Sequence, residues 1–376
     1  PKEWFALGRL VPLEHNAYSL LPSYIEAAYL QLAAMLGSAG TDGRWITACA
    51  ALHAGIALLA ALCTAALTLR IAHRSGLDRP AAPWIAGAAA VVVPWTVVTA
   101  SLSYNEMGML LGIAGACLLA IDAPDSLHSR GRALLLGFSL AIATACKPTA
   151  AFMGGPLVLL SILAWNPRRA WPRMLAWAFL GGVIASAPWL VRNAVSSGNP
   201  VFPALSSVFG TAHWSPEQVE RWNAAHHAHA GLVDSARRLF SPDGVFHPQW
   251  SLFFAVILGS VIVVSLNAQA RRTAWPLLAA LPLQFLAWTA IGHQQPRFLM
   301  PCILTGATTL GVAAAVLLTT KWHRAAGALV AALILLMSLD GARLYMNENA
   351  GQPARALVPG CPAITGIALV TDDQLA

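Results

Sequence analysis

The sequence predicts an all-α, polytopic membrane protein with about ten transmembrane helices. Hydrophobic residues make up 57% of the 376 residues, charged residues only 10%, and the mean hydropathy is +0.62. Soluble domains carry about 25% charged residues, so this composition excludes an ordinary water-soluble enzyme. The apolar residues form repeated runs of membrane-spanning length, and the cations stand at the ends of these runs.

Eight apolar runs are long enough to cross a bilayer as helices, which requires about 17–25 residues. They cover residues 45–69, 82–100, 104–121, 174–191, 250–266, 274–292, 298–319 and 325–344. A further run, residues 133–165, is too long for one span and contains Cys146-Lys147-Pro148 near its middle. A Lys at the centre of a span costs about 2.5–3.5 kcal/mol. Two short spans that meet at Lys147 are therefore favoured, which brings the total to about ten.

Positive charge predicts the side of the membrane on which each loop lies. Five short loops hold 12 of the 23 Lys and Arg residues beside three acids, namely residues 70–80, 122–132, 166–173, 267–273 and 321–324. The positive-inside rule makes these loops cytoplasmic. The chain then divides into a first outer loop (1–44), a bundle (45–191), a large outer loop (192–249), a second bundle (250–344) and a truncated outer region (345–376). We expect one more span before Pro1, or about eleven in the intact protein.

The first outer loop contains a predicted amphipathic helix at residues 23–37, which we expect to lie in the membrane interface. Ile25 and Tyr29 fall on its apolar face. Ser23 followed by Glu26 has the spacing of a capping box. Glu26 is thus either a helix cap or a functional acid.

Three charged residues stand near the predicted outer ends of apolar spans. Glu106 is one turn into the span at 104–121, where a carboxylate marks a functional site, unless it is a helix N-terminal acid favoured by the macrodipole. Lys147 and Arg297 are fixed cations of the kind that a lipid-linked phosphate or pyrophosphate needs. The alternative for both cations is snorkelling towards lipid headgroups.

Arg192 and Asn193 follow the span at 174–191 and precede the turn signal Gly198-Asn199-Pro200. They either point into a cavity or cap the helix. The chain has no GxGxxG or Walker motif, so we expect no nucleotide cofactor. The net charge of +7 is not gathered into a patch, and we therefore expect no nucleic-acid partner.

Several short motifs on the predicted outer face follow one another in a fixed order. The first outer loop contains Pro1-Lys2, Gly8, Asn16-Ala17-Tyr18-Ser19, Pro22 and Glu26-Ala27-Ala28-Tyr29. Later come Tyr104-Asn105-Glu106, Ala145-Cys146-Lys147-Pro148-Thr149, Arg192-Asn193 with Gly198-Asn199-Pro200-Val201-Phe202-Pro203, and Arg297-Phe298-Leu299-Met300-Pro301. Over about 300 residues this order resembles the GT-C superfamily of polytopic glycosyltransferases. The branch is similar to the protein O-mannosyltransferases and lipid A aminoarabinose transferases (family 39-like), although Glu106 replaces the family's Asp.

The resemblance implies transfer of a sugar, with inversion, from a polyprenyl-phosphate donor to a protein, lipid or glycan acceptor. It implies a phosphate site made of Arg297, Lys147, Arg192 and Lys2, with Glu106 as a catalytic group and as the ligand of a divalent metal. Further site-lining residues would be Tyr104, Asn105, Asn193, Asn16, Tyr18, Glu26 and His293. The family's general-base Asp precedes the Pro-Lys motif. We therefore expect it upstream of Pro1, and we expect this N-terminally truncated fragment to be inactive.

Two other functions compete with this interpretation. A flippase or transporter of lipid-linked sugars would carry broken or charged mid-membrane segments in paired repeats, whereas most spans here are apolar at their centres. An O-antigen ligase or polymerase would fit the long loop at 192–249, but it does not require Glu106 or the first-loop motifs. Frequent Ala, Trp and Arg with little Lys favours a bacterial source, and hence the inner membrane with a periplasmic site.

Overall fold

The computed structural model describes residues 2–13, 15–36, 44–121, 129–226, 231–290 and 294–348. Within these ranges the secondary structure is helical, and the only β pairing is an isolated bridge between Leu13 and Asn16. The all-α prediction is confirmed for this part of the chain.

The helices of the first half run from the outer loop into the first bundle. The outer loop forms α1 (Lys2–Leu7) and α2 (Tyr24–Met35). The bundle helices are α3 (Arg44–Arg74), α4 (Ala81–Val92), α5 (Pro94–Ala100), α6 (Glu106–Ile121), α7 (Ser129–Cys146), α8 (Thr149–Met153), α9 (Gly155–Trp165) and α10 (Trp171–Ser197).

The helices of the second half begin in the large outer loop. This loop contains α11 (Ser206–Phe209), α12 (Pro216–His226) and α13 (Leu232–Leu239). The bundle helices that follow are α14 (Phe253–Leu266), α15 (Ala268–Ala290), α16 (Pro301–Leu317) and α17 (His323–Glu348). A 3-10 turn at Pro296–Leu299 leads into α16.

Membrane-crossing length is reached by some of these helices and not by others. In the described ranges, three helical segments are long and apolar enough to cross a membrane, namely Arg44–Arg74, Arg168–Ser197 and His323–Leu344. The pair α4 and α5, bent by 64°, would make a fourth. Shorter apolar helices occupy Glu106–Ile121, Thr149–Trp165, Phe253–Leu266 and Pro301–Leu317. The predicted apolar runs are thus helical, while the count of ten spans stays a prediction.

The long run at 133–165 is divided at Lys147, as predicted. α7 ends at Cys146 and α8 begins at Thr149. Pro148 lacks a backbone N–H and disfavours helical geometry in the residue before it, so the helix stops here. The backbone N–H of Lys147 still donates to the carbonyl oxygen of Ala143 (3.0 Å). Lys147 therefore stands at the end of a helix instead of inside one.

Close packing of α7 against α10 depends on two glycines. A Cβ atom on Gly137 would lie 1.7 Å from the carbonyl oxygen of Ala178, and one on Gly181 would lie 1.9 Å from that of Leu134. The residue pairs 137–178 and 134–181 run in opposite directions, so the two helices are antiparallel. Small residues that let helix backbones approach are the usual way in which membrane helices associate.

The capping box predicted at the start of α2 is not formed. Ser23 is the N-cap residue, but its hydroxyl donates to the carbonyl oxygen of Leu21 (2.8 Å) and makes no cap hydrogen bond. Glu26 accepts a hydrogen bond from Asn105 instead. The spacing of Ser23 and Glu26 fits a capping box, but the Glu26 carboxylate is hydrogen-bonded to a residue 79 positions away instead.

Candidate functional site

A buried ion pair joins α6 to the end of α7. The ammonium Nζ of Lys147 donates to Oε1 of Glu106, and the two residues are only 8% and 2% exposed. Glu106 is the first residue of α6, not one turn inside the helix as the sequence suggested. Buried charges persist when they are paired and hydrogen-bonded, and each member of this pair supplies what the other needs.

The second cation of the site, Arg297, is held by aromatic rings. It lies in the 3-10 turn before α16, and its guanidinium carbon is 5.5 Å from the ring centre of Tyr104 and 5.7 Å from that of Phe298. Lys147 Nζ lies 4.4 Å from the same Phe298 ring. Aromatic faces attract cations without neutralising them. Phe298 therefore brings two cations to one place while Arg297 keeps its charge available.

Glu26 and Asn105 form a polar contact beside the ion pair. Asn105 Nδ2 donates to Glu26 Oε1 at 3.3 Å, and Glu26 Oε2 is buried with no hydrogen-bond partner among the described residues. Burial raises the pKa of Glu26 above its ordinary value, although hydrogen bonds from its own backbone and from Asn105 oppose the rise. An unpartnered buried oxygen is an atom that a ligand hydroxyl can satisfy.

The chain segment that carries Tyr104 and Glu106 is tied to two neighbouring helices. The hydroxyl of Tyr29 on α2 donates to the carbonyl oxygen of Tyr104 (2.6 Å). His53 on α3 contacts the backbone on both sides of the segment, at Leu102 and at Met107. The geometry of Glu106 is thus fixed from outside its own helix.

Arg192 and Asn193 bind the first outer loop. Arg192 Nη2 donates to the carbonyl oxygen of Ser19 (2.9 Å), and Asn193 Nδ2 donates to that of Leu20 (2.6 Å). Arg192 also donates to the Asn193 side chain and lies over the ring of Trp189. Arg192 Nη1 is buried and has no hydrogen-bond partner within the described ranges. Instead of capping their helix, both side chains hold the loop in place.

Asn16 and Tyr18 belong to the first outer loop, to which Arg192 and Asn193 donate their hydrogen bonds. Asn16 caps a 3-10 turn by accepting from the backbone N–H of Tyr18 (3.0 Å). The ring of Tyr18 is 5.6 Å from that of Trp222 in the large outer loop. Burial raises the pKa of Tyr18, and the nearby charge of Arg297 opposes this rise. The described contacts of the Tyr18 ring are therefore with the large outer loop.

Two predicted site residues are not placed. Lys2 begins α1, but its side chain lies outside the described residues, and so does all of His293. Among the remaining predicted residues, the structure brings Glu106, Lys147 and Arg297 together, with Tyr104, Asn105 and Glu26 close by.

Three contact residues were not singled out from the sequence as site residues, namely Tyr29, His53 and Phe298. Tyr29 and Phe298 belong to the short motifs of the outer face. Their neighbours in sequence did not indicate that the Tyr29 hydroxyl would bind the backbone of Tyr104, or that the Phe298 ring would contact two cations. His53 had a recognisable signal, because it is the only His in the otherwise apolar run at 45–69. A polar residue inside such a run requires buried partners.

The donor set does not favour a metal ion at Glu106. The described residues contain no cluster of three or more His, Cys, Asp or Glu side chains that could hold one. The ammonium of Lys147 already donates to Glu106 Oε1, and the backbone N–H of Asn105 donates to Oε2 at 3.3 Å. A positive charge already in that position repels a second one.

Comparison with known proteins gives one family match and one similar fold. The model of a family described as a domain of unknown function (DUF8201) matches residues 109–304, more than half of the chain. No curated protein matches the sequence. Two crystal structures of ArnT from Cupriavidus metallidurans are similar in fold. The one bound to undecaprenyl phosphate has a TM-score of 0.56 at 16% identity, and the apo one 0.55 at 19%.

Both ArnT comparisons cover 83% of this chain and 53% of the ArnT chain, so the chain spans about half the length of ArnT. At this identity the likeness concerns the fold alone. It shows that the chain shares the membrane-protein fold of ArnT, which agrees with the fold that the order of motifs predicted.

Proposed function

The chain belongs to the DUF8201 family, and we propose that it is a membrane glycosyltransferase that moves a sugar from a polyprenyl-phosphate donor to an acceptor with inversion. The observation that carries this proposal is the pair of cations, Lys147 and Arg297, gathered by Phe298 beside a buried carboxylate. The fold shared with ArnT supports it, since one of the ArnT structures is bound to undecaprenyl phosphate.

The two cations fit the charge that develops on the leaving group. A polyprenyl-phosphate sugar is a phosphodiester with one negative charge. The acceptor hydroxyl oxygen forms a bond to the anomeric carbon, and the bond from that carbon to the phosphate oxygen breaks. The departing polyprenyl phosphate then carries a second negative charge. Lys147 and Arg297 attract the double negative charge that develops in the transition state more strongly than the single charge of the bound donor. This difference lowers the activation free energy of the transfer.

The carboxylates have separate roles in this proposal. Glu106 holds Lys147 in place and gives up part of that contact when the phosphate arrives. Glu26 Oε2, which has no hydrogen-bond partner in the described part of the chain, accepts a hydrogen bond from the acceptor or the sugar. The resemblance assigns the general base to the Asp that precedes the Pro-Lys motif in the family, and this base takes the acceptor's proton. No step is assigned to a metal, because Lys147 already neutralises Glu106.

The site lies at one end of the bundle, and this supports a periplasmic active site in a bacterial inner membrane. Glu106 begins α6, Lys147 directly follows α7, and Arg297 lies between α15 and α16. The opposite ends of these helices lead into the loops rich in Arg that the positive-inside rule places in the cytoplasm. A donor phosphate at the outer headgroup level would meet the site directly.

The proposal is tested by donor dependence. Full-length protein is reconstituted in liposomes with native membrane extract as the acceptor source and a panel of radiolabelled polyprenyl-phosphate hexoses and pentoses. We expect transfer from at least one monophosphate donor, a loss of at least about 100-fold in K147M, and no change in R272A. Arg272 is an exposed cation on α15 that takes no part in the site.

Two results would overturn the proposal, and each points to a different function. Transfer from a pyrophosphate-linked oligosaccharide but from no monophosphate donor would indicate a ligase or polymerase. Movement of the intact lipid-linked sugar across the bilayer, with the sugar–phosphate bond unbroken, would indicate a flippase.

A further inference from the structure

We propose that His53 is a positioning residue for the reaction. As a neutral imidazole protonated on Nδ1, it holds the first turn of α6, and with it Glu106, in register with Lys147. The inference rests on the proposed glycosyl transfer. It assigns a task to a buried polar side chain that contacts neither the ion pair nor Arg297 directly.

Each ring nitrogen of His53 has a backbone partner. Nδ1 lies 3.0 Å from the carbonyl oxygen of Thr99 and 2.8 Å from that of Leu102. Nε2 lies 3.2 Å from the backbone nitrogen of Met107. A carbonyl oxygen only accepts and a backbone N–H only donates, so the proton is on Nδ1 and Nε2 is the acceptor. An imidazolium would lose the bond to Met107.

Met107 is the second residue of α6, and its N–H is one of the four that a helix leaves without an internal partner. Such groups are normally satisfied by a side chain just before the helix. Here the acceptor comes from α3, 54 positions earlier in the chain. His53 is thus a cap supplied by a neighbouring helix, and it fixes the residue that directly follows Glu106.

The other end of the same segment is held through the same ring. The carbonyl oxygens of Thr99 and Leu102 belong to the end of α5 and the turn after it. One imidazole therefore contacts the backbone on both sides of residues 103–106, the segment that carries Tyr104 and Glu106. The ring is fully buried, and the ring of Tyr29 stands edge-on to it at 6.4 Å. This arrangement leaves the connection little freedom to shift.

The placement of Glu106 matters because it sets the place of Lys147. A displacement of about 1 Å in a catalytic group can lower a rate about 10²-fold. Lys147 stabilises the second charge that forms only as the sugar–phosphate bond breaks. A misplaced Lys147 therefore lowers kcat more than it raises the KM of the donor, because Arg297 still binds the donor phosphate.

Two substitutions separate the two functions of the ring. Asn reaches the position of Nδ1 and Gln reaches that of Nε2. H53N can still donate to the carbonyls of Thr99 and Leu102 but loses the bond to Met107, whereas H53Q can keep the bond to Met107. We expect kcat per donor-binding site to fall about 10–100-fold in H53N. In H53Q we expect a kcat at least about threefold higher than in H53N. The donor KM should change by less than about threefold in both variants.

The outcomes are distinct. Equal kcat per binding site in H53N, H53Q and wild type, with only thermal stability lowered, would show that His53 is merely structural and would overturn the inference. An absence of turnover in wild type would overturn the proposed function and the inference with it. If neither variant folds, solid-state ¹⁵N NMR of His53 in wild-type protein decides. A protonated Nδ1 with an unprotonated Nε2 is expected, and the other tautomer or an imidazolium would overturn the inference.

Discussion

Lys147 and Glu106 form an ion pair that is almost completely shielded from solvent, at the point where α7 ends and α6 begins. Neither residue would be stable there alone, because an unpaired charge in an apolar bundle is costly. The pair thus keeps a cation buried at one end of the bundle, and the proposed function makes the donor phosphate its second partner.

Removing one charge of the buried ion pair should destabilise the fold more than removing both charges together. K147M leaves the Glu106 carboxylate buried without its cation, and we expect it to destabilise the fold by about 3–5 kcal/mol. E106Q/K147M removes both charges and should recover most of this loss. The measurement is thermal denaturation in detergent. R237M, which breaks the exposed pair between Arg237 and Asp234, is the control and should cost less than about 1 kcal/mol. Additive effects in the double variant would contradict the buried pairing.

Arg297 should contribute to donor affinity through its charge and through the shape of its guanidinium. R297A removes both, and a charged hydrogen bond is worth about 1.5–3 kcal/mol, so we expect affinity for polyprenyl phosphate to fall about 10–100-fold. R297K restores the charge but not the fork of donors, and an intermediate affinity is expected. Equilibrium binding of labelled lipid to purified protein gives the values. Wild-type affinity in R297A would show that the cation does not meet the phosphate.

The contact between α7 and α10 should tolerate no side chain at Gly137. In G137A the new Cβ atom would clash with the backbone of Ala178, which lies 1.7 Å away. Overpacking of this kind costs about 1–3 kcal/mol. Gly182 on the same helix contact is the matched control, because its nearest neighbour would be 3.8 Å from the added atom. Thermal denaturation of both variants tests the packing, and equal melting temperatures would contradict it.

Glu26 should make stability depend on pH. Burial raises its pKa in the folded protein above the unfolded value of about 4.3. Its contribution is therefore fully present below about pH 4.3 and is lost as pH rises through the raised pKa. We expect the melting temperature of wild type to fall relative to E26Q between pH 4 and pH 8. E220Q, at an exposed acid on α12, should follow wild type. Parallel curves for wild type and E26Q would disprove the effect.

Much of the fold could be predicted because membrane insertion imposes a simple pattern on the sequence. The apolar runs became helices, and the break at Lys147 was predictable since a Lys and a Pro stand together in the middle of an overlong run. The bend between α4 and α5 has a similar local cause in Pro94, where the residue before it leaves the helical conformation.

The contacts of the site were less predictable because they join distant parts of the chain. Glu26 had the spacing of a cap, yet Asn105 was a better placed partner. Arg192 was expected at a phosphate, but it donates to a backbone carbonyl oxygen of the first outer loop. Every residue has such a carbonyl, so the sequence does not indicate which one will accept the hydrogen bond. His53 acts on backbone groups 46 to 54 positions away, and only its isolation in an apolar run marked it.

The central claim is that Lys147 and Arg297 together bind the phosphate of a polyprenyl-phosphate lipid. The most direct test is native mass spectrometry of the full-length protein with a polyprenyl phosphate and with the matching uncharged polyprenol. We predict that the phosphate binds at least about 100-fold more tightly than the alcohol. We also predict that E106Q/K147M/R297Q, which leaves no unpaired carboxylate at Glu106, abolishes this difference while still binding the alcohol. Equal binding of the two lipids to wild type, or an undiminished preference for the phosphate in the triple variant, would contradict the claim.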